Sequence, residues 1–69
     1  MRIIDMSGTR SFNMDYLDIE VTGKEIFGKN MDVTVLLGRY SADDRAVGVF
    51  NEMHRGYAAG DKLFYMPED

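Results

Sequence analysis

Apolar and polar positions alternate most regularly between Tyr16 and Thr22, where Leu17, Ile19 and Val21 interleave with Tyr16, Asp18, Glu20 and Thr22. A period of two is the signature of a half-buried strand. Before it, Arg2 to Met6 is a β-branched run that predicts a first strand, broken at Ser7-Gly8-Thr9, where Gly8 can take a positive φ. Ser11 to Asp15 reads either as a short edge segment or as loop. After the alternating run, Thr22-Gly23-Lys24 is a tight-turn signal, Glu25-Ile26-Phe27 starts the return strand, and Gly28-Lys29-Asn30 supplies the next turn. Met31 to Tyr40 predicts the longest strand, with Met31, Val33, Val35 and Leu37 on one face and Thr34, Leu36 and Tyr40 on the other. Apolar residues on both faces of its middle predict a central strand or one covered by a second subunit.

Beyond Tyr40 the period changes to that of a helix. Ser41 is a good N-cap residue, Asp44 three positions on completes a capping-box-like pair, and Asp43 adds negative charge at the positive end of the dipole. On a wheel of about 100° per residue, Ala46, Val49, Phe50, Met53 and Tyr57 fall within one stripe about 100° wide, flanked by Val47 and His54. Gly60 is placed to terminate the helix. Lys62 to Met66 predicts a last strand, stopped by Pro67. The expected fold is therefore α+β: a small, mostly antiparallel sheet in the order β-β-β-β-α-β, with one amphipathic helix packed on one face. Gly48 and Gly56 lie inside the helix, each at a cost of about 1 kcal/mol relative to alanine. They mark either an unoptimised surface or a side that another backbone can approach.

Composition narrows the class. Sixty-nine residues predict a single domain, residues 1–69, and 45% hydrophobic content is too high for a disordered acidic tail. There is no cysteine, hence no disulfide and no thiolate metal site, and a core this small is marginal alone. The expected stabiliser is association, as a homo-oligomer. The net charge of −4 argues against direct nucleic-acid binding, and no stretch is apolar enough for a membrane span or a signal peptide, so a cytoplasmic protein is expected. The six methionines read chiefly as fillers of core gaps, Met6, Met14, Met31, Met53 and Met66 among them.

Candidate chemistry is sparse. His54 has neither a cysteine nor a second histidine for company, so no metal and no cofactor is expected. No catalytic motif occurs, and an enzyme is not expected. An anionic ligand would meet arginines. Arg39, continuing the Met31–Leu37 face, stands beside Tyr40 on the opposite one. Together with Arg10, Phe12, Arg55 and Tyr57, these residues are the materials for gripping a nucleotide, guanidinium to phosphate and ring to base. The alternative is that the aromatics are core and the arginines solvated.

Arg2-Ile3-Ile4, then Gly8, then Ile19-Glu20-Val21 before Gly23 resemble the opening of short proteins of Gram-positive bacteria and their phages. Tyr40-Ser41-Ala42-Asp43-Asp44-Arg45-Ala46 is similar to the segment those proteins write as Tyr-Ser-Thr-Glu-Glu-Lys-Ala. Met53, Tyr57 and Phe64-Tyr65-Met66-Pro67-Glu68-Asp69 continue the match. The chain departs where the family has Gln-Asp-Gly (here Met6-Ser7-Gly8) and Pro-Tyr-Glu (here Asn13-Met14-Asp15). The matched residues are mostly strand and cap residues, so the resemblance implies provenance and fold rather than activity. By analogy of class, the leading expectation is a phage-type accessory protein of the host cytoplasm. It would act against host defence by sequestering a small nucleotide-like immune signal in pockets between its subunits. The alternatives are a protein-binding inhibitor or adaptor acting on a host protein, and a structural module without a small ligand.

Overall fold

The computed structural model describes residues 1–69, and its strands sort into two sheets. β1 (Arg2–Ile4), β2 (Ser11–Asn13), β3 (Asp18–Thr22), β4 (Glu25–Lys29) and β5 (Thr34–Arg39) precede the helix α1 (Asp43–Ala58), and β6 (Leu63–Tyr65) follows it. A 3-10 turn at Met14–Tyr16 separates β2 from β3. One sheet has the order β2-β1-β6, with β1 antiparallel to β2 and parallel to β6; the other is the antiparallel meander β3-β4-β5. The α+β class with a single helix against mostly antiparallel strands is as the pattern predicts. Two details differ: Ser11–Asn13 is a fifth strand before the helix, and there are two three-stranded sheets rather than one.

One core joins both sheets to the helix. Ile3 from β1, Ile26 from β4, Leu37 from β5 and Ala46, Val49 and Met53 from α1 are essentially sealed from solvent, with Met14, Tyr40 and Met66 completing the cluster. The helix lies against β3 and β4. Its expected stripe holds at Ala46, Val49 and Met53, whereas Phe50 is half-buried and Tyr57 exposed. The turn glycines behave as expected: Gly8, Gly23 and Gly60 all have positive φ, Gly60 lying just beyond the C-cap Ala59.

Four local expectations are corrected. The helix N-cap is Ala42, which has no capping hydroxyl; Ser41 lies one residue too early, and its Oγ donates to Asp69 Oδ1 at 3.2 Å. The turn before β5 comes later than Gly28-Lys29-Asn30. Asn30 Oδ1 accepts from the backbone N–H groups of Asp32 and Val33, at 2.9 and 3.0 Å, which holds Met31 to Val33 out of the strand. Met31 is therefore fully exposed and fills no core gap. Gly28 instead belongs to β4, where Leu17 packs directly over it. The third correction is that β5 ends its sheet and β4 is central.

The fourth correction concerns the candidate site. Ile26 pairs with Gly38 but the next residue, Phe27, pairs with Leu36, so Leu37 is the extra residue of a β-bulge. A single inserted residue reverses the alternation. Arg39 therefore projects outward opposite Glu25, and Tyr40 turns into the core, 3% exposed. Both faces are the reverse of those the unbroken alternation predicts.

Candidate functional site

The loop from Asp5 to Arg10 is built around a carboxylate. Asp5 is buried, yet Ser7 Oγ donates to its Oδ1 at 2.7 Å and the backbone N–H of Arg10 does so at 3.3 Å. Ser7 Oγ also accepts from the N–H of Thr9, and Gly8 N–H donates to the Asp5 carbonyl at 2.9 Å. Burial pushes the Asp5 carboxyl up, but these bonds and the Arg10 charge outweigh it and hold the group below its ordinary 3.8. A depressed folded-state value contributes stability above the unfolded value that is lost as pH falls through the folded one. Asp5→Asn is therefore expected to lower the urea midpoint at neutral pH, with the gap from the parent closing below about pH 4. A gap that stays constant down to pH 2 would contradict this.

That loop leans on β5. Met6 N–H donates to the Leu37 carbonyl at 2.8 Å, using the carbonyl at the bulge, and Arg39 N–H reaches Met6 Sδ at 3.4 Å. Between loop and strand lies an open cleft of about 320 Å³ lined by Arg10, Arg39, Ser7, Asp5, Leu36 and their neighbours. Arg10 is steered by stacking over the Phe12 ring, 4.9 Å from its centroid. Leu36 offers a partly exposed apolar wall. Arg39 pairs with Glu25 at the surface, its Nε and Nη2 both donating to the single oxygen Oε2, at 2.9 and 2.6 Å. A second opening of about 580 Å³ lies on the other side of Arg39, among Thr22, Lys24, Glu25, Tyr40 and Asp43. Its charges are mixed, two acids against two bases, so it favours no ligand sign.

The six residues singled out from the sequence thus part company. Arg10 and Arg39 line one cleft, with Phe12 beneath Arg10. Tyr40 is a core residue: its hydroxyl donates to the Pro67 carbonyl at 2.9 Å, Arg45 lies over its ring at 5.6 Å, and Arg45 also reaches the Glu68 carbonyl at 3.3 Å. Burial pushes the Tyr40 phenol above its ordinary 10.0, with Asp69 and Glu52 adding to the rise and Arg45 opposing it. Arg55 stands exposed on the helix and does not line the cleft. Tyr57 donates to Asp15 Oδ1 at 2.5 Å, tying the end of the helix to the 3-10 turn, and that bond raises its phenol as well. Ser7, Asp5 and Leu36 were not among the candidates. The Asp-x-Ser-Gly-Thr run, rich in side chains that bond nearby backbone, is the signal that marks the loop.

His54 packs against Phe50, ring centroids 4.3 Å apart, with Nδ1 at 2.8 Å from the Phe50 carbonyl. No three His, Asp or Glu side chains converge anywhere. No helix is long and apolar enough to cross a membrane. Fold and site together define a small α+β chain with a two-arginine cleft beside a bulged strand. Set against protein-family models, curated proteins and solved structures, the chain matches none.

Proposed function

We propose that the protein binds, without turning over, a small nucleotide-like anion in the Arg10–Arg39 cleft. Following the resemblance to phage-associated proteins, the ligand so sequestered is a host immune signal. The observation that carries the reading is the convergence of two arginines from segments 29 positions apart on one cleft with an apolar wall at Leu36. Guanidinium groups recognise phosphate bidentately, and an apolar wall suits the face of a base. The aromatic ring under Arg10 reduces the entropy lost when that side chain closes on a ligand.

Glu25 competes for Arg39, which makes the reading testable from both directions. Titration calorimetry with AMP, ADP, ATP and pyrophosphate is expected to give saturable binding of at least one of them. Arg10→Ala and Arg39→Ala each remove a charge-assisted contact of about 1.5–3 kcal/mol, a loss of roughly tenfold or more in affinity. Glu25→Gln releases Arg39 and tightens binding. Absence of heat with every probe, or binding indifferent to both arginines, would overturn the proposal.

A further inference from the structure

The free edge of β6 is a backbone template with an unusually plain sequence. Arg2 N–H donates to the Lys62 carbonyl and Met66 N–H to the Ile4 carbonyl, both bonds belonging to the parallel pairing of β1 with β6. That register commits the backbone groups of Lys62, Phe64 and Met66 to β1. Leu63 and Tyr65 therefore turn their N–H and C=O groups the other way, and no further strand follows β6 in its sheet. Their side chains are 45% and 66% exposed, while Phe64 faces the core.

The other three sheet termini are engaged or charged. β3 carries Asp18 and Glu20, the far side of β5 is engaged by Met6, and on β2 the Arg2 guanidinium donates to the Ser11 carbonyl at 3.3 Å. Charge, bulges and short covered strands are the usual means of keeping edges from pairing. β6 has no charge in its three residues.

We infer that β6 pairs antiparallel with β6 of a second copy, about a two-fold axis through Phe64, to form a continuous six-stranded sheet. Three features select this occupant. Centring on Phe64 sets Leu63 opposite Tyr65 of the other copy, so each pair exchanges both backbone bonds and all four exposed donor and acceptor pairs are used. The same register gathers two leucines and two tyrosines into one apolar cluster on the outer face. It also brings Lys62, exposed and without an ion pair, toward the acidic Glu68 and Asp69 of the other chain. The two-fold makes the contact isologous, so it closes as a dimer, and Pro67, which has no N–H, ends the ladder.

The contact uses none of the cleft residues, so its failure and the failure of the cleft reading are separable. Sedimentation velocity over a dilution series is expected to show the mass rising from 7.9 kDa to twice that value. Leu63→Glu combined with Tyr65→Glu sets like charges directly opposite and should weaken the dimer at least roughly tenfold. Leu63→Lys combined with Tyr65→Glu places opposite charges in register and should restore a dimer that high salt weakens. Arg10→Ala should leave it unchanged. Hydrogen exchange on the unaltered chain supplies a reading that needs no variant: the Leu63 and Tyr65 amides, fast in dilute solution, become protected as concentration rises. A chain monomeric throughout, or a dimer in which those two amides stay fast, would overturn the inference.

Discussion

Tyr40→Ala is expected to remove about 3–5 kcal/mol of stability, the range for truncating a buried aromatic side chain. Tyr40 is 3% exposed and sits where three parts of the chain meet: the bulged end of β5, the start of α1 and the C-terminal tail. In a chain of 69 residues that loss is most of the available margin. Tyr40→Phe isolates the hydroxyl. It should cost about 1 kcal/mol, because the Pro67 carbonyl loses its donor while the ring stays packed. Urea midpoints measure both, and amide exchange from Met66 to Asp69 should quicken in Tyr40→Phe although the helix stays protected. An alanine variant with the parent's midpoint would show that the ring does not bridge these parts. The sequence pattern ranks Tyr40 as a replaceable ligand contact; its position makes it a structural one.

Why the pattern misplaced Tyr40 follows from where the information lies. Alternation reports which face a residue takes only while the ladder is regular, and one extra residue at Leu37 inverts everything after it. Nothing in Val35-Leu36-Leu37-Gly38 announces a bulge except the glycine, and that glycine has other uses. The features that were legible are those set by neighbours in sequence. Gly8, Gly23 and Gly60 need positive φ for steric reasons local to each turn, and the helix period is set by its own hydrogen bonds. Asn30 is locally encoded too, but its bonds to Asp32 and Val33 compete with the strand run after it, and alternation alone does not show which prevails.

The candidate cleft was legible only in part. Arginine chemistry names Arg10 and Arg39 as partners for an anion, whereas their proximity depends on the Asp5–Arg10 loop docking on β5 through Met6, a contact across about half the chain. The pairing of β1 with β6 is longer still, joining the two ends of the molecule. Loop-closure entropy opposes such contacts until the core forms, so no local window of sequence carries them. Tyr57 shows the same limit from the helix: its spacing puts it on the apolar stripe, but only the fold brings Asp15 within reach of its hydroxyl.

Gly38→Val should destabilise the protein by about 1–3 kcal/mol through overpacking, and its mechanism can be isolated. A Cβ at Gly38 would stand 3.0 Å from both Cε2 and the hydroxyl oxygen of Tyr40, and 3.1 Å from Met66 Cε. Met66 ends in a flexible methyl and can yield. The Tyr40 ring cannot swing without giving up its bond to Pro67, so the strain falls there. In the Tyr40→Ala background the obstructing ring is gone, and the same valine should cost less than about 0.5 kcal/mol or even stabilise, since valine suits a strand better than glycine. A double-mutant cycle on urea midpoints measures the coupling. Additive effects would mean that Gly38 is required by the bulge backbone itself. A strong coupling would mean that the glycine is there to seat Tyr40, and that the ring, by occupying the space above Gly38, keeps β5 turned so that Arg39 faces the cleft.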